Sequence, residues 1–167
     1  MYEITPQRSN KKAQQCSAVL LITSFAAMFF SAMTWVAYRS IIQIIALLMM
    51  GISVLLLTRY VLSGYTYAIV ANDDGSQDIT VTELKRKSRI TVCRIGLSSI
   101  ERAVCVDSAN KETIAQEAKT YKRFNYCVDI RPEKSICFFA EECEEKFAIT
   151  ISYDQKLFDI LSAAAKE

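Results

Sequence analysis

The sequence predicts an α+β protein: a transmembrane α-helical hairpin followed by one β-rich domain closed by a C-terminal helix. Three observations predict it. Ala18 to Ala37 carries no charge over twenty residues, and Ile41 to Thr58 none over eighteen. Beyond Gly64 the apolar residues change from continuous runs to alternation. Near the end, Leu157, Phe158, Ile160, Leu161, Ala164 and Ala165 recur at the spacing of one helix face.

About twenty apolar residues at 1.5 Å per residue cross a hydrocarbon core about 30 Å thick. The two uncharged runs therefore read as spans over 18–37 and 41–62, with Tyr38, Arg39 and Ser40 as the turn. Residues 1–17 form a polar leader, expected to be mobile and cytoplasmic. Arg8, Lys11 and Lys12 precede the first span and Arg59 closes the second, against Arg39 alone in the turn. Cationic flanks favour the cytoplasm, so both termini are expected there, in the plasma membrane. Trp35 and Tyr38 fall at one interface, Tyr60 and Tyr65 at the other. Thr23, Ala27 and Ser31 recur every fourth residue, a small-residue face suited to close helix packing. Packing inside the hairpin is the simpler role for it, and self-association into a homo-oligomer the alternative. No ionisable group lies at mid-span, which disfavours an autonomous ion-coupled transporter.

Alternation and β-branched residues predict strands at Tyr65–Ala71, Ile79–Lys85, Arg89–Ile95, Ile100–Val106 and Tyr121–Ile130, and two further strands, Ile136–Ala140 and Lys146–Ile151, flank the acidic tip Glu141 to Glu145. Asn72-Asp73-Asp74-Gly75-Ser76 and Arg131-Pro132-Glu133-Lys134 are turns. Ser108 to Lys119 is a loop with one or two helical turns over Glu112–Ala118. Phe124, Tyr126, Val128 and Ile130 share one strand face. The terminal helix spans about 153–166, capped by Ser152 with Gln155 as its capping-box partner.

Charge and composition exclude several functions. Before Gly64 stand five basic residues and one acid, Glu3, so what remains of the 20 basic and 18 acidic residues leaves the domain slightly acidic. A general nucleic-acid footprint is not expected. Without histidine, Ser-His and Cys-His catalysis and imidazole metal sites are unavailable to the chain. The six cysteines form no C-x-x-C pair, and a cytoplasmic domain keeps them as thiols. With four glycines there is no phosphate-cradling motif and no nucleophile elbow. The acidic run Glu141–Glu145 around Cys143 lacks the ligand spacing and glycine of a calcium loop. No catalytic residue, cofactor site or metal site is assigned, and the chain is read as a non-enzyme.

Seven strands in this order, a long irregular connection after the fourth and an amphipathic terminal helix resemble the pleckstrin-homology (PH)-like domain. Asp78–Leu84 (DITVTEL), Val92–Ile95 (VCRI) and Phe124–Ile130 (FNYCVDI) are similar to small bacterial members. With the hairpin in front, the chain resembles bacterial integral membrane proteins that carry such a domain just inside the membrane. The resemblance implies a bent, nearly orthogonal seven-stranded antiparallel sandwich over 65–167, with the helix plugging an open corner. It also implies a phosphoinositide site at the first strand-to-strand loop. That loop is the acidic stretch Asn72–Ser76, so the lipid site is not carried over.

The expected function is a non-enzymatic, membrane-tethered protein-interaction or scaffolding module, with a partner strand added to an exposed sheet edge as the first mode to consider. One alternative is an anionic-lipid sensor using Lys85, Arg86, Lys87 and Arg89. The same four could equally be a solvated hairpin tip that discourages edge pairing. Another alternative is an accessory subunit that joins a larger membrane complex through its hairpin.

Overall fold

The computed structural model describes residues 2–6, 12–33, 38–85 and 88–165. The chain divides into two compact parts: a helical hairpin, and a β-rich domain assembled from residues on both sides of it in sequence.

In the hairpin, α1 (Lys12–Ser31) and α2 (Arg39–Leu57) pack against each other, and α2 runs on through a π-helical turn, Thr58–Leu62. Helix α1 starts earlier than the apolar run because Lys12, Ala13, Gln14 and Gln15 are good helix formers. It ends earlier too, at Ser31, where tight bonds from Ala32 to Phe29 and from Met33 to Phe30 close the last turn. Trp35 lies outside the described residues. Of the expected turn at 38–40, Tyr38 precedes α2 with a left-handed φ of 60°, whereas Arg39 and Ser40 already belong to α2.

The helix seam is built from small residues seven apart: Ser17, Ser24 and Ser31 on α1, Ala46 and Ser53 on α2. Small side chains let the two backbones approach closely. Ser53 Oγ donates to the Ser17 carbonyl at 2.8 Å, joining the start of α1 to the end of α2. Other hydroxyls satisfy themselves on their own helix, as Thr23 does on Val19 (2.9 Å) and Ser24 on Leu21 (2.8 Å). Phe25, Phe29, Ile44 and Leu48 are exposed. Both helices are long and apolar enough to cross a membrane, and only 17% and 11% of their apolar windows are buried. That is far less burial than the core helix of a water-soluble domain would have.

The domain holds two open four-stranded sheets. The first has the order β1 (Tyr2–Ile4), β2 (Ser63–Ala71), β3 (Gln77–Lys85), β4 (Ser88–Gly96). The second has the order β5 (Ile100–Val106), β7 (Ser135–Glu142), β8 (Glu145–Ser152), β6 (Lys122–Asn125). The described strands thus number eight, not seven, because the leader contributes one. Tyr2, Glu3 and Ile4 pair antiparallel with Ile69, Ala68 and Tyr67. The Tyr2 hydroxyl donates to Asp154 at 2.6 Å, and the Thr5 and Thr66 hydroxyls meet at 3.0 Å. Mobility is the expectation for the leader; in its described residues 2–6, long-range pairing orders the chain.

Strand β6 runs parallel to β8, Lys122–Asn125 opposite Phe147–Thr150. It is therefore also parallel to β5, and the connection between them crosses over β7 and β8. Parallel strands need such a crossover, usually helical. Here it carries α3 (Lys111–Glu117) and a 3₁₀ turn, Ala118–Thr120, which agrees with the helical turns expected at Glu112–Ala118. Because α3 lies over the second sheet, β7 is covered on both faces. Ile136, Phe138 and Ala140 face the main core with Tyr67, Ile79, Val81, Ile149 and Ile151. Cys137 and Phe139 join Ala148 beneath Ile114 and Ala118. Burial on both faces explains why Ser135–Ala140 lacks alternation.

Two expected boundaries move. The strand over Tyr121–Ile130 stops at Asn125, whose Oδ1 accepts the Cys127 N–H at 2.9 Å and turns the chain. Phe124, Tyr126, Val128 and Ile130 therefore do not share a face: Phe124 is exposed and Val128 buried. The terminal helix, α4 (Gln155–Ala164), is capped by Asp154, whose Oδ1 accepts the Leu157 N–H at 3.0 Å. Ser152 is not the cap because its Oγ accepts the Val128 N–H at 3.1 Å.

Leu157 and Leu161 of α4 are fully buried in the main core. Leu161→Asp places an unpaired carboxylate there and should destabilise the domain by more than about 4 kcal/mol, abolishing its cooperative thermal transition. Tyr67→Phe should cost about 1–3 kcal/mol in denaturant unfolding, because it strips hydrogen bonds from the half-buried Tyr126 carbonyl and Ser152 amide.

Candidate functional site

The first sheet ends on β4, SRITVCRIG, whose side chains from Ser88 to Val92 are all exposed. Its register with β3 steps from Val81↔Cys93 to Thr82↔Thr91, leaving Val92 as the extra residue of a bulge. Ile90 is 52% exposed and Val92 37%. The other outer strand of this sheet, β1, is three residues long. The longer edge is thus β4.

An aromatic row adjoins it. The Tyr126 hydroxyl lies 3.5 Å from the Val92 carbonyl, at the limit of a hydrogen bond. Its ring stacks on Phe124, with centroids 6.2 Å apart and planes 4° apart, and meets Tyr65 edge-on at 5.6 Å. Phe147 continues the row, 6.2 Å from Phe124. Phe124 is 42% exposed, so with Ile90 and Val92 it presents apolar surface beside an open strand edge. The sequence pointed to an edge strand in general. The row was missed because Tyr65, Phe124, Tyr126 and Phe147 come from three distant segments.

The basic cluster is only partly described. Lys85 is ion-paired with Glu83 at 3.1 Å, and Arg89 is exposed on β4. Arg86 and Lys87 lie outside the described residues. The small-residue stripe splits: Thr23 is exposed, Ala27 half-buried and Ser31 buried in the seam. The loop Asn72–Ser76 is a self-bonded turn, Gly75 supplying a φ of 82° and Asp74 accepting from the Ser76 amide and hydroxyl at 3.0 and 2.6 Å. These bonds hold the Asp74 carboxyl below its ordinary pKa. Arg94 spans to Asp78 and Asn72, both at 2.7 Å, and holds the Asp78 carboxyl low as well. The Glu141–Glu145 tip is a tight turn with Cys143 and Glu144 at positive φ, and two of its carboxylates pair with Lys146 and Lys122. Among the described residues no cluster of His, Cys, Asp or Glu could hold a metal.

All six cysteines are free. Burial pushes the Cys127 thiol up to about 12 and Cys93 up to about 11, and raises Cys137 as well. They are neutral, poorly nucleophilic thiols.

No protein-family model, no curated protein and no solved structure matches this chain.

Iodoacetamide at neutral pH should modify the exposed Cys143 of the folded protein well before Cys127 or Cys137. Protection of the latter two should persist as pH rises through the ordinary thiol range and vanish in denaturant. Peptide mapping by mass spectrometry reads the order.

Proposed function

We propose that this chain is a non-enzymatic, membrane-tethered protein-interaction module whose PH-like domain receives an extended partner segment along β4. The observation that carries the reading is the nine-residue outer strand with Ile90, Val92 and Phe124 exposed beside it. Adding a strand to such an edge recruits main-chain hydrogen bonds for affinity and apolar side chains for selectivity. A second copy is a poor occupant, because β4 carries Arg89 and no acid, so a self-paired strand brings no counter-charge to Arg89. A partner strand with apolar and acidic residues complements it.

The hairpin supports the tether. Its outward-facing aromatic and branched side chains suit a hydrocarbon surrounding, and its cationic flanks favour termini in the cytoplasm. The pairing of β1 with β2 supports a topology with both hairpin ends on one side of the plasma membrane. The order of strands followed by α4 supports the PH-like reading; β1 adds an eighth strand, and β6, parallel to β8, departs from the all-antiparallel sandwich expected. Confinement to the membrane raises the module's effective concentration toward other membrane-bound proteins.

Crosslinking from native membranes tests this. Full-length protein should capture specific partners that a chain lacking residues 65–167 does not. The exposed pair Ile90→Glu and Val92→Glu should abolish capture while leaving stability within about 0.5 kcal/mol for each change. Recovery of the same partners by the hairpin alone would move the function to the membrane segment.

A further inference from the structure

A second feature of the domain is a cleft that shares Phe124 with the surface beside β4 and opens over the second sheet. The crossover from β5 to β6 covers the outer face of the second sheet only in part. Ile114 of α3 and Ala118 of the 3₁₀ turn after it sit on Cys137, Phe139 and Ala148. Past them, the chain that leaves β6 at Asn125 passes through Cys127, Ile130 and Pro132 before rejoining the sheet at Ser135. Between α3, β6 and this connection lies a cleft of about 690 Å³. That is the size of a small-molecule site.

Its chemistry is uneven. Ile114, Ala115, Ala118 and Ala148 give it apolar walls, and Cys127 and Cys137 line it as neutral thiols. Several polar groups of the lining are already engaged. Asn125 Oδ1 accepts the Cys127 amide, the Thr150 carbonyl accepts the Tyr126 amide, and the Thr150 side chain is bonded to Cys137. Asp107 accepts the amides of Ala109 and Asn110 at 2.9 and 3.1 Å. Two cations also line the cleft, Lys111 from α3 and Arg123 from β6, and neither has a carboxylate within ion-pair distance among the described residues. Glu133 is the one further acid of the lining, on the exposed connection.

We propose that this cleft binds a small single-chain amphiphile, its apolar body against Ile114, Ala118, Ala148 and the two thiols and its anionic head between Lys111 and Arg123. The lining contains no glycine and a single aromatic ring, Phe124, rather than the glycine-rich loop and paired rings that would suit a nucleotide. Apolar surface and two unpaired cations are what it offers, and a carboxylate with a short alkyl chain matches both.

The test uses the full chain in lipid nanodiscs and a decanoate analogue with a diazirine in its chain. After irradiation, the labelled segments are identified by mass spectrometry. Label is expected in residues 111–118 and 123–133. Ala115 is exposed and lines the cleft, so Ala115→Trp fills it without disturbing the core and should reduce that label to background with an unchanged thermal transition. Lys111→Gln with Arg123→Gln should reduce it roughly fivefold, the upper range for a solvent-exposed ion pair. Label confined to residues 12–62, or cleft label indifferent to Ala115→Trp, would overturn the site. Equal cleft label from the uncharged alcohol analogue would overturn the anionic head.

Discussion

The buried hydroxyl of Tyr67 holds the domain's two sheets in register. Tyr67 is a core residue of β2, yet its oxygen donates to the Tyr126 carbonyl at 2.7 Å and accepts the Ser152 amide at 3.2 Å. The end of β8 and the chain leaving β6 are thereby tied to the first sheet through one atom. Ser152 extends the tie to Val128. A polar group this deep is tolerated only when it is satisfied, and burial raises its pKa above the ordinary phenol value. This tie directs the course of residues 126–134, and that course makes both the aromatic row beside β4 and one wall of the cleft.

Much of this was legible in the sequence, and what was not legible shares one cause. The two helices, the strands β2 to β5, β7 and β8, and the turns of α3 follow from local composition and pattern. In the domain, the displaced boundaries involve distant partners. Asn125 to Ile130 alternates as a strand should, but Tyr67 and Ser152 claim its backbone groups. Ser152 followed by Gln155 reads as a capping box, but its hydroxyl is used elsewhere and Asp154 caps instead. Tyr2–Ile4 is too short to register as a strand without knowledge of β2. In the hairpin, a four-residue repeat of small residues drew attention to Thr23, whereas the seam follows the seven-residue repeat of Ser17, Ser24 and Ser31, the period that keeps one face toward a neighbouring helix.

The β4 edge combines openness with protection. The bulge at Val92 and the charge of Arg89 are devices that discourage indiscriminate sheet extension. The apolar surface of Ile90, Val92 and Phe124 works in the opposite direction. An edge of this kind selects against its own copy while retaining affinity for a segment of opposite charge, which is specificity achieved by repulsion as much as by attraction.

The pairing of β1 with β2 constrains the order in which the protein can be made. The first strand leaves the ribosome before either helix, and its seat in the sheet does not exist until both helices and β2 have followed. During that interval Tyr2 lacks Asp154 and Thr5 lacks Thr66. Assembly of the first sheet must therefore come after the hairpin has been synthesised. A chain halted within α1 or α2 holds an orphan strand, and a fragment that begins at Gly64 holds a β2 with one bare edge.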